Sequence, residues 1–171
     1  MRKLTICLCG AFLVAAAATG QDAGNTQVNE LLKHWTNSKE LSLAVAEAMP
    51  ADDYTFKATP AEMTFGGQMD HIAAANVNYC SAALGSEKPK LETKDESKAA
   101  AIKNLTAAYD YCINGLSGMK DSDLQATAMR NGASVSKFEL FWGGFTHAAH
   151  HRGQAEVYLR LKGITPPQYK F

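Results

Sequence analysis

The chain has 171 residues, of which 46% are hydrophobic and 20% are charged. That length is enough for one domain with a sizeable core, and the composition excludes a disordered or collagen-like chain. Lys plus Arg and Asp plus Glu both number 17, so the formal charge is zero. Because proteins that contact phosphate backbones usually carry a basic excess, we do not expect a nucleic-acid binder.

The first twenty residues have the pattern of a secretory signal peptide. Arg2 and Lys3 precede an almost wholly apolar run, 4–18, and small residues stand at its end. A buried N-terminal helix is the alternative, but residues 19–22 turn abruptly small and polar. The apolar run is also too short to span a membrane comfortably. We therefore predict a signal peptide at 1–20 and a mature domain at 21–171, exported to the periplasm or outside the cell, with no membrane span.

The mature chain predicts mainly helices, and no strand-like alternation competes with them. The first helix covers about 27–49 and ends at Pro50. One face of it should enter the core, because its members recur at helical spacing: Leu31, Trp35, Ser38, Ser42, Val45 and Met49. The second helix is expected to open at Thr59, which is followed by proline at the first helical position and by Glu62 in a capping box. It should run to Leu84, with Gly85 as the stop.

The second half of the chain predicts two further long helices. Residues 86–96 are polar and indicate a loop, and the third helix covers about 97–116. Residues 117–135 form a long connection with room for a short turn or an extended piece. The fourth helix covers about 136–162 and is followed by Gly163. Four helices of this length predict an all-α four-helix bundle with a long connection between helices three and four.

Cysteine usage predicts one disulfide in the mature chain. Removal of the signal peptide takes away Cys7 and Cys9, which leaves Cys80 in helix two and Cys112 in helix three. Two cysteines in an oxidising compartment are a candidate pair. Because consecutive helices are usually antiparallel neighbours, the two positions match only imperfectly in height. We nevertheless predict the bond.

Two histidines on helix four have the spacing of a chelating pair. His147 and His151 are four residues apart and stack on one face, whereas His150 points away. Two imidazoles side by side against a core are costly unless a shared cation or hydrogen bonds to neighbours satisfy them. The spacing alone leaves both interpretations open. Gly143 and Gly144, one turn earlier, are expected to leave space beside the pair.

A third ligand would have to come from another helix. His71 lies in the middle of helix two, beside its apolar face, and is the candidate. His34 on helix one is interpreted as a surface histidine. Asp70 points about 100° away from His71, so we interpret it as a surface group or an outer partner of the site.

Four further polar side chains lie near the histidines. Gln68 and Gln154 lie one turn from His71 and His151 and either orient water or substrate or form hydrogen bonds to the ligands. We favour the second role, because an amide cannot take up a proton at neutral pH. Tyr158 is a pocket-wall donor or a core aromatic. Arg152 is expected to form an interhelical ion pair.

Two segments resemble the DinB-like superfamily. Residues 147–154 read HAAHHRGQ and closely follow the H-x-x-H-H-R-G-Q signature of that family, and residues 64–73, TFGGQMDHIA, are similar to its segment with the first histidine. The resemblance covers essentially the whole mature chain in helix count, order and motif placement. It implies a four-helix bundle that binds a divalent metal through His71, His147 and His151. Assigned members include thiol-dependent transferases and isomerases and amide-hydrolase-like enzymes.

Two hypotheses about function follow. The first is a metal-dependent enzyme, a hydrolase or a thiol-type transferase, acting on an unidentified small molecule at an open coordination position. The second is a non-catalytic metal-binding or interaction scaffold. We expect one divalent ion, zinc or nickel ahead of iron, copper or manganese, since imidazole suits all of them. A homodimer is compatible with either hypothesis.

Overall fold

A computed structural model describes residues 25–92 and 95–170, so the predicted signal peptide, 1–20, lies outside the described residues. The elements in chain order are α1 (Thr26–Ala48), a 3₁₀ turn (Ala51–Asp53), α2 (Phe65–Leu84), α3 (Lys98–Ser117), α4 (Asp121–Leu124), β1 (Thr127–Arg130), β2 (Ala133–Ser136) and α5 (Lys137–Leu161). Among the helices of these described residues, none has the length and apolar character that crossing a membrane requires.

Four long helices form the bundle that the sequence predicts. α2 packs against α3 and α5, and α1 packs against the same two helices, so α1 and α2 occupy opposite corners. Between them lies a core of fully buried side chains that includes Trp35, Phe65, Leu105, Tyr109 and Phe141. The predicted inward face of α1 is confirmed, because all six of its members are buried. The bounds of α1, α3 and α5 differ from the predicted ones by only one residue at each end.

Helices α2 and α3 run parallel rather than antiparallel. Near the start of both helices, Asn104 donates to Asp70, and further along both, Cys80 is bonded to Cys112. The connection 85–97 must therefore return along the bundle, and its end lies beside the start of α2, where Thr64 donates to Glu96. This return is possible because the span of thirteen extended residues exceeds the length of the 20-residue helix α2.

The predicted disulfide between Cys80 and Cys112 is confirmed. The two sulfur atoms are bonded at 2.11 Å, the Cα atoms are 5.5 Å apart, and both side chains are fully buried. The imperfect match in height disappears because α2 and α3 are parallel, so positions well along each helix meet.

The predicted start of helix two is wrong by about one and a half turns. Residues 59–62 make a single turn, closed by a bond from the Glu62 amide to the Thr59 carbonyl, and the helix itself begins at Phe65. The cap is Thr64, whose hydroxyl accepts from the Gly67 amide. A start at Thr59 would use the amide of Phe65 inside the helix, but this amide bonds to the carbonyl of Phe56 instead.

The long connection between α3 and α5 contains a β-hairpin, in the segment where the sequence left room for a short turn or an extended piece. β1 and β2 pair antiparallel, with Arg130 opposite Ala133. The two residues of the turn, Asn131 and Gly132, have φ values of 51° and 80°. Positive φ at both positions is typical of the two-residue hairpin turn that Asn-Gly favours.

Candidate metal centre

Three histidines converge between α2 and α5. The Nε2 atoms of His71 and His147 are 3.3 Å apart, and the ring of His151 lies 4.3 Å from that of His71 and 4.5 Å from that of His147. One ring nitrogen from each residue lies within 4.8 Å of the other two. The structure thus brings together the three residues that the sequence analysis singled out.

The geometry follows from the register of two antiparallel helices. His147 and His151 stack on one face of α5 because they are one turn apart. His71 meets them from the antiparallel helix α2. Before His71 in α2, Gln68 contacts Gln154 of α5, and after it, Tyr79 contacts Gly143 of α5. The site therefore depends on the helical spacing within α5 and on the packing of α2 against it.

Burial keeps two of the imidazoles neutral. The pKa of His151 is lowered to about 4, mainly by desolvation and further by the neighbouring charges of His71, His147 and His150. The pKa of His147 is also lowered, again mainly by desolvation, with His71, His150 and Arg130 contributing. Neutral imidazole is the form that offers a lone pair to a metal ion, so the electrostatics favour ligation at neutral pH.

A chain of hydrogen bonds holds His151 in one tautomer. Its Nδ1–H donates to Oε1 of Gln68 at 2.9 Å, because an amide oxygen can only accept. Nε2 of Gln68 donates to Oε1 of Gln154 at 3.1 Å, and Nε2 of Gln154 donates to Nε2 of His150 at 2.8 Å. The proton on Nδ1 leaves Nε2 of His151 with its lone pair directed to the other two histidines.

Gln68 thus bonds directly to a candidate ligand, as expected, whereas among the described residues Gln154 bonds to Gln68 and His150 instead. Gln68 is fully buried, whereas Gln154 is half-buried. His150 is exposed and points away from the cluster, at the outer end of the chain of bonds.

Three further expectations need correction. His34 is not on the surface: it is buried, and its ring packs 5.4 Å from that of Phe145 because α1 and α5 are neighbours. Arg152 makes an interhelical hydrogen bond to Ser38 at 3.0 Å rather than an ion pair with a described residue. Gly143 leaves no space beside the histidines, since a Cβ there would lie 2.7 Å from the Tyr79 ring.

Tyr158 is a core aromatic and not a pocket donor. Its side chain is buried, and its hydroxyl donates to the carbonyl of Met63 at 2.9 Å. The hydroxyl thereby anchors the segment before α2 to α5, and it is already satisfied.

A cavity of about 490 Å³ adjoins the cluster on the side of His71. We call it the acidic cavity, because its lining includes Asp70, Glu92 and Glu96 beside His71. Asp70 is half-buried and accepts a hydrogen bond from Asn104 at 2.9 Å. The pKa of Asp70 is raised, mainly by burial, with the charges of Glu96 and Asp95 adding to the effect and the bond from Asn104 opposing it.

Arg130 is a cation near the cluster that sequence reasoning missed. Its guanidinium carbon lies 3.3 Å from the centre of the Tyr79 ring, and that ring lies 6.0 Å from the ring of His147. The Asn131-Gly132 pair is the signal that could have revealed it, because Asn-Gly between short runs predicts a hairpin. The hairpin is what places this arginine over α2.

The donor set fits a divalent transition metal. Three imidazole nitrogens within one small cluster are a common arrangement for zinc and related ions, and a hydrogen-bonded Nδ1 on a ligand is its usual support. The buried Nδ1 of His147 has no hydrogen-bond partner among the described residues, so this ring lacks the support that Gln68 gives to His151. The cluster is compatible with metal binding.

Comparisons with known proteins agree with this fold. The model of the DinB family matches residues 24–171. The chain belongs to the DinB family. Its fold is similar to the crystal structure of a DinB-like protein from Bacillus cereus ATCC 10987, with a TM-score of 0.73, 20% identity, and coverage of 83% of this chain and 97% of that one. A DinB-like protein (YjoA) from Bacillus subtilis gives a TM-score of 0.71, 19% identity, and coverage of 83% and 98%. No match was found among curated proteins.

Proposed function

We propose that this DinB-family chain is an exported, metal-dependent hydrolase whose single divalent ion is held by His71, His147 and His151. The observation that carries the proposal is the convergence of three half-buried imidazoles, one of which has its tautomer set by Gln68. Three protein ligands leave a coordination position open, which is typical of catalytic and not of structural sites. When bound, the ion supplies Lewis acidity to a water molecule or substrate at that position.

The protein's own side chains then have distinct tasks. The three histidines fix the position of the reacting centre at the boundary between α2 and α5. Gln68 and Gln154 keep His151 oriented through their hydrogen bonds. The acidic cavity offers room for a small substrate next to His71.

We assign Asp70 the role of proton acceptor during turnover. It lines the acidic cavity together with His71, and its raised pKa makes it a better base than an exposed aspartate. Glu92 is less suited, because Lys103 forms an ion pair with it.

The disulfide supports export and favours hydrolysis over thiol transfer. Disulfides persist in oxidising compartments, where low-molecular-weight thiol cofactors are scarce, and Cys80 and Cys112 are bonded. Export itself is tested by the intact mass of protein from its native host: loss of about twenty N-terminal residues is expected, and a mass that begins at Met1 in exported protein would contradict it.

Metal analysis tests the ligand assignment. Protein from the exported fraction should contain about one equivalent of divalent metal, and His147→Ala or His151→Ala should abolish stoichiometric binding. His150→Ala and His34→Ala are controls that should retain it. If His150→Ala lost the metal and His147→Ala kept it, the assignment would be wrong.

A turnover screen tests the enzyme proposal separately. Amide and ester substrates should be hydrolysed by the metal-loaded protein and not by the chelator-treated one. Stoichiometric metal without turnover of any amide, ester or thiol-dependent substrate would instead favour the non-catalytic scaffold. Turnover that requires an added low-molecular-weight thiol would favour the transferase.

A further inference from the structure

A second surface depression, separate from the acidic cavity, has the opposite charge. It has a volume of about 500 Å³ and lies between the end of α2 and the hairpin. We call it the basic groove. Its polar lining consists of Asn78, Ser81, Ser86, Lys88, Arg130 and Asn131, and none of the described residues that line it is acidic.

Both cations of the basic groove lack an acidic partner. Neither Lys88 nor Arg130 forms an ion pair with a described residue. Lys88 donates to Oδ1 of Asn78 at 2.8 Å. Nη1 of Arg130 is buried and has no hydrogen-bond partner in the described part of the chain. The described acidic groups therefore do not neutralise the positive charge of this groove, and an anionic oxygen is the ligand that two such cations favour.

The guanidinium of Arg130 is also held in place without an acid. Its central carbon lies 3.3 Å from the centre of the Tyr79 ring. This contact stabilises the cation without neutralising its charge. Because Tyr79 also packs against His147, the held cation stands one aromatic ring away from the histidine cluster.

We propose that the basic groove is a binding subsite for an anionic group, a carboxylate or a phosphate, on a small molecule, and that Arg130 is its main specificity-determining residue. The side-chain amides of Asn78 and Asn131 beside the two cations offer the neutral donors that such sites use beside charged ones. Anion binding at this groove does not depend on the proposed function. That the anion is part of the metal centre's substrate does rest on it. The substrate class that follows is an acid or a phosphate ester with its reacting bond near the three histidines.

Titration with inorganic phosphate and with acetate tests the subsite. The mature protein is titrated by NMR, first as purified and then after a chelator has removed metal, in a buffer without other oxyanions. We expect saturable shifts of the backbone amides of 78–88 and 129–132 in both samples, with the tighter titrant identifying the preferred group. Saturable binding to the chelator-treated sample is independent of the metal, so this result stands even if the proposed metal function fails.

Three variants test which residues of the basic groove bind the anion. Arg130→Gln should weaken binding of the tighter titrant about tenfold or more, and Lys88→Gln should weaken it less. Lys90→Gln removes an exposed cation outside the groove and should leave the affinity unchanged. The proposal is overturned if the parent protein shows no saturable shifts at these amides. It is equally overturned if Arg130→Gln binds as tightly as the parent, or if Lys90→Gln weakens binding as much as Arg130→Gln.

Discussion

Replacement of Gln68 by methionine should weaken metal binding without touching a ligand. Methionine has nearly the same volume as glutamine, so the buried position is filled, but the acceptor for Nδ1–H of His151 is lost. In the metal-free variant, the His151 ring can shift its proton to Nε2. With metal bound, Nε2 must be bare, so the proton stays on Nδ1 without a partner. The penalty therefore falls mainly on the metal-bound state.

The magnitude follows from the cost of one unsatisfied donor. An unpaired donor in a buried site costs about 1–3 kcal/mol, which corresponds to roughly fivefold to 150-fold in a dissociation constant. Loss of an outer partner of a metal ligand typically has the same effect. Gln154, which loses its donor from Gln68, is half-buried, so water can replace that bond at little cost.

Competition for zinc with a chromophoric chelator measures the effect at pH 7.5. Gln68→Met should raise the dissociation constant by the stated factor, and Gln68→Glu should bind at least as tightly as the parent, because a carboxylate is a stronger acceptor. Gln125→Met is the matched control, since the Gln125 side chain is exposed and donates to Gln27 rather than to a residue of the cluster. A change of less than threefold in Gln68→Met, with unchanged thermal stability, would refute the role assigned to this hydrogen bond.

Three further predictions concern stability and turnover. Replacing both Cys80 and Cys112 by alanine should lower the free energy of unfolding by about 3–4 kcal/mol, because the disulfide closes a loop with a sequence separation of 32. Urea denaturation measures this change, and a loss below about 1 kcal/mol would contradict the prediction. Because the pKa of His151 is about 4 when folded and near 6.5 when unfolded, the metal-free protein should lose stability as the pH falls from about 6.5 to 4. Solvent access reduces this loss to on the order of 1 kcal/mol. The free energy of unfolding should depend less on pH in His151→Gln than in the parent, and equal slopes would exclude His151 as the cause. Asp70→Asn should reduce kcat at least about a hundredfold while metal content stays at the parent level, and an unchanged kcat would remove Asp70 from the mechanism.

Local patterns in the sequence predicted most of the fold. Helical periodicity depends on neighbours within a few residues, so it identified the buried face of α1 and the stacking of His147 over His151. Helix ends were predictable where one signal dominated, as at Gly85, which has the positive φ of a helix stop. The start of α2 was not, because Thr59 and Thr64 are both good caps, and the choice depends on backbone bonds to residues 54–56.

The sequence by itself determined the helices, the family resemblance and the three candidate histidines. Each of these is encoded in residue spacing within one segment, and spacing can be recognised without knowing what packs where. Only the tertiary structure decided that α2 and α3 are parallel, which brings Cys80 and Cys112 to the same height. It also decided that His34 is buried and that Arg130 lies over Tyr79, because both depend on contacts between segments far apart in the chain. Such contacts leave no periodic pattern in the sequence, because they depend on how separate segments pack and not on the spacing of residues within one segment.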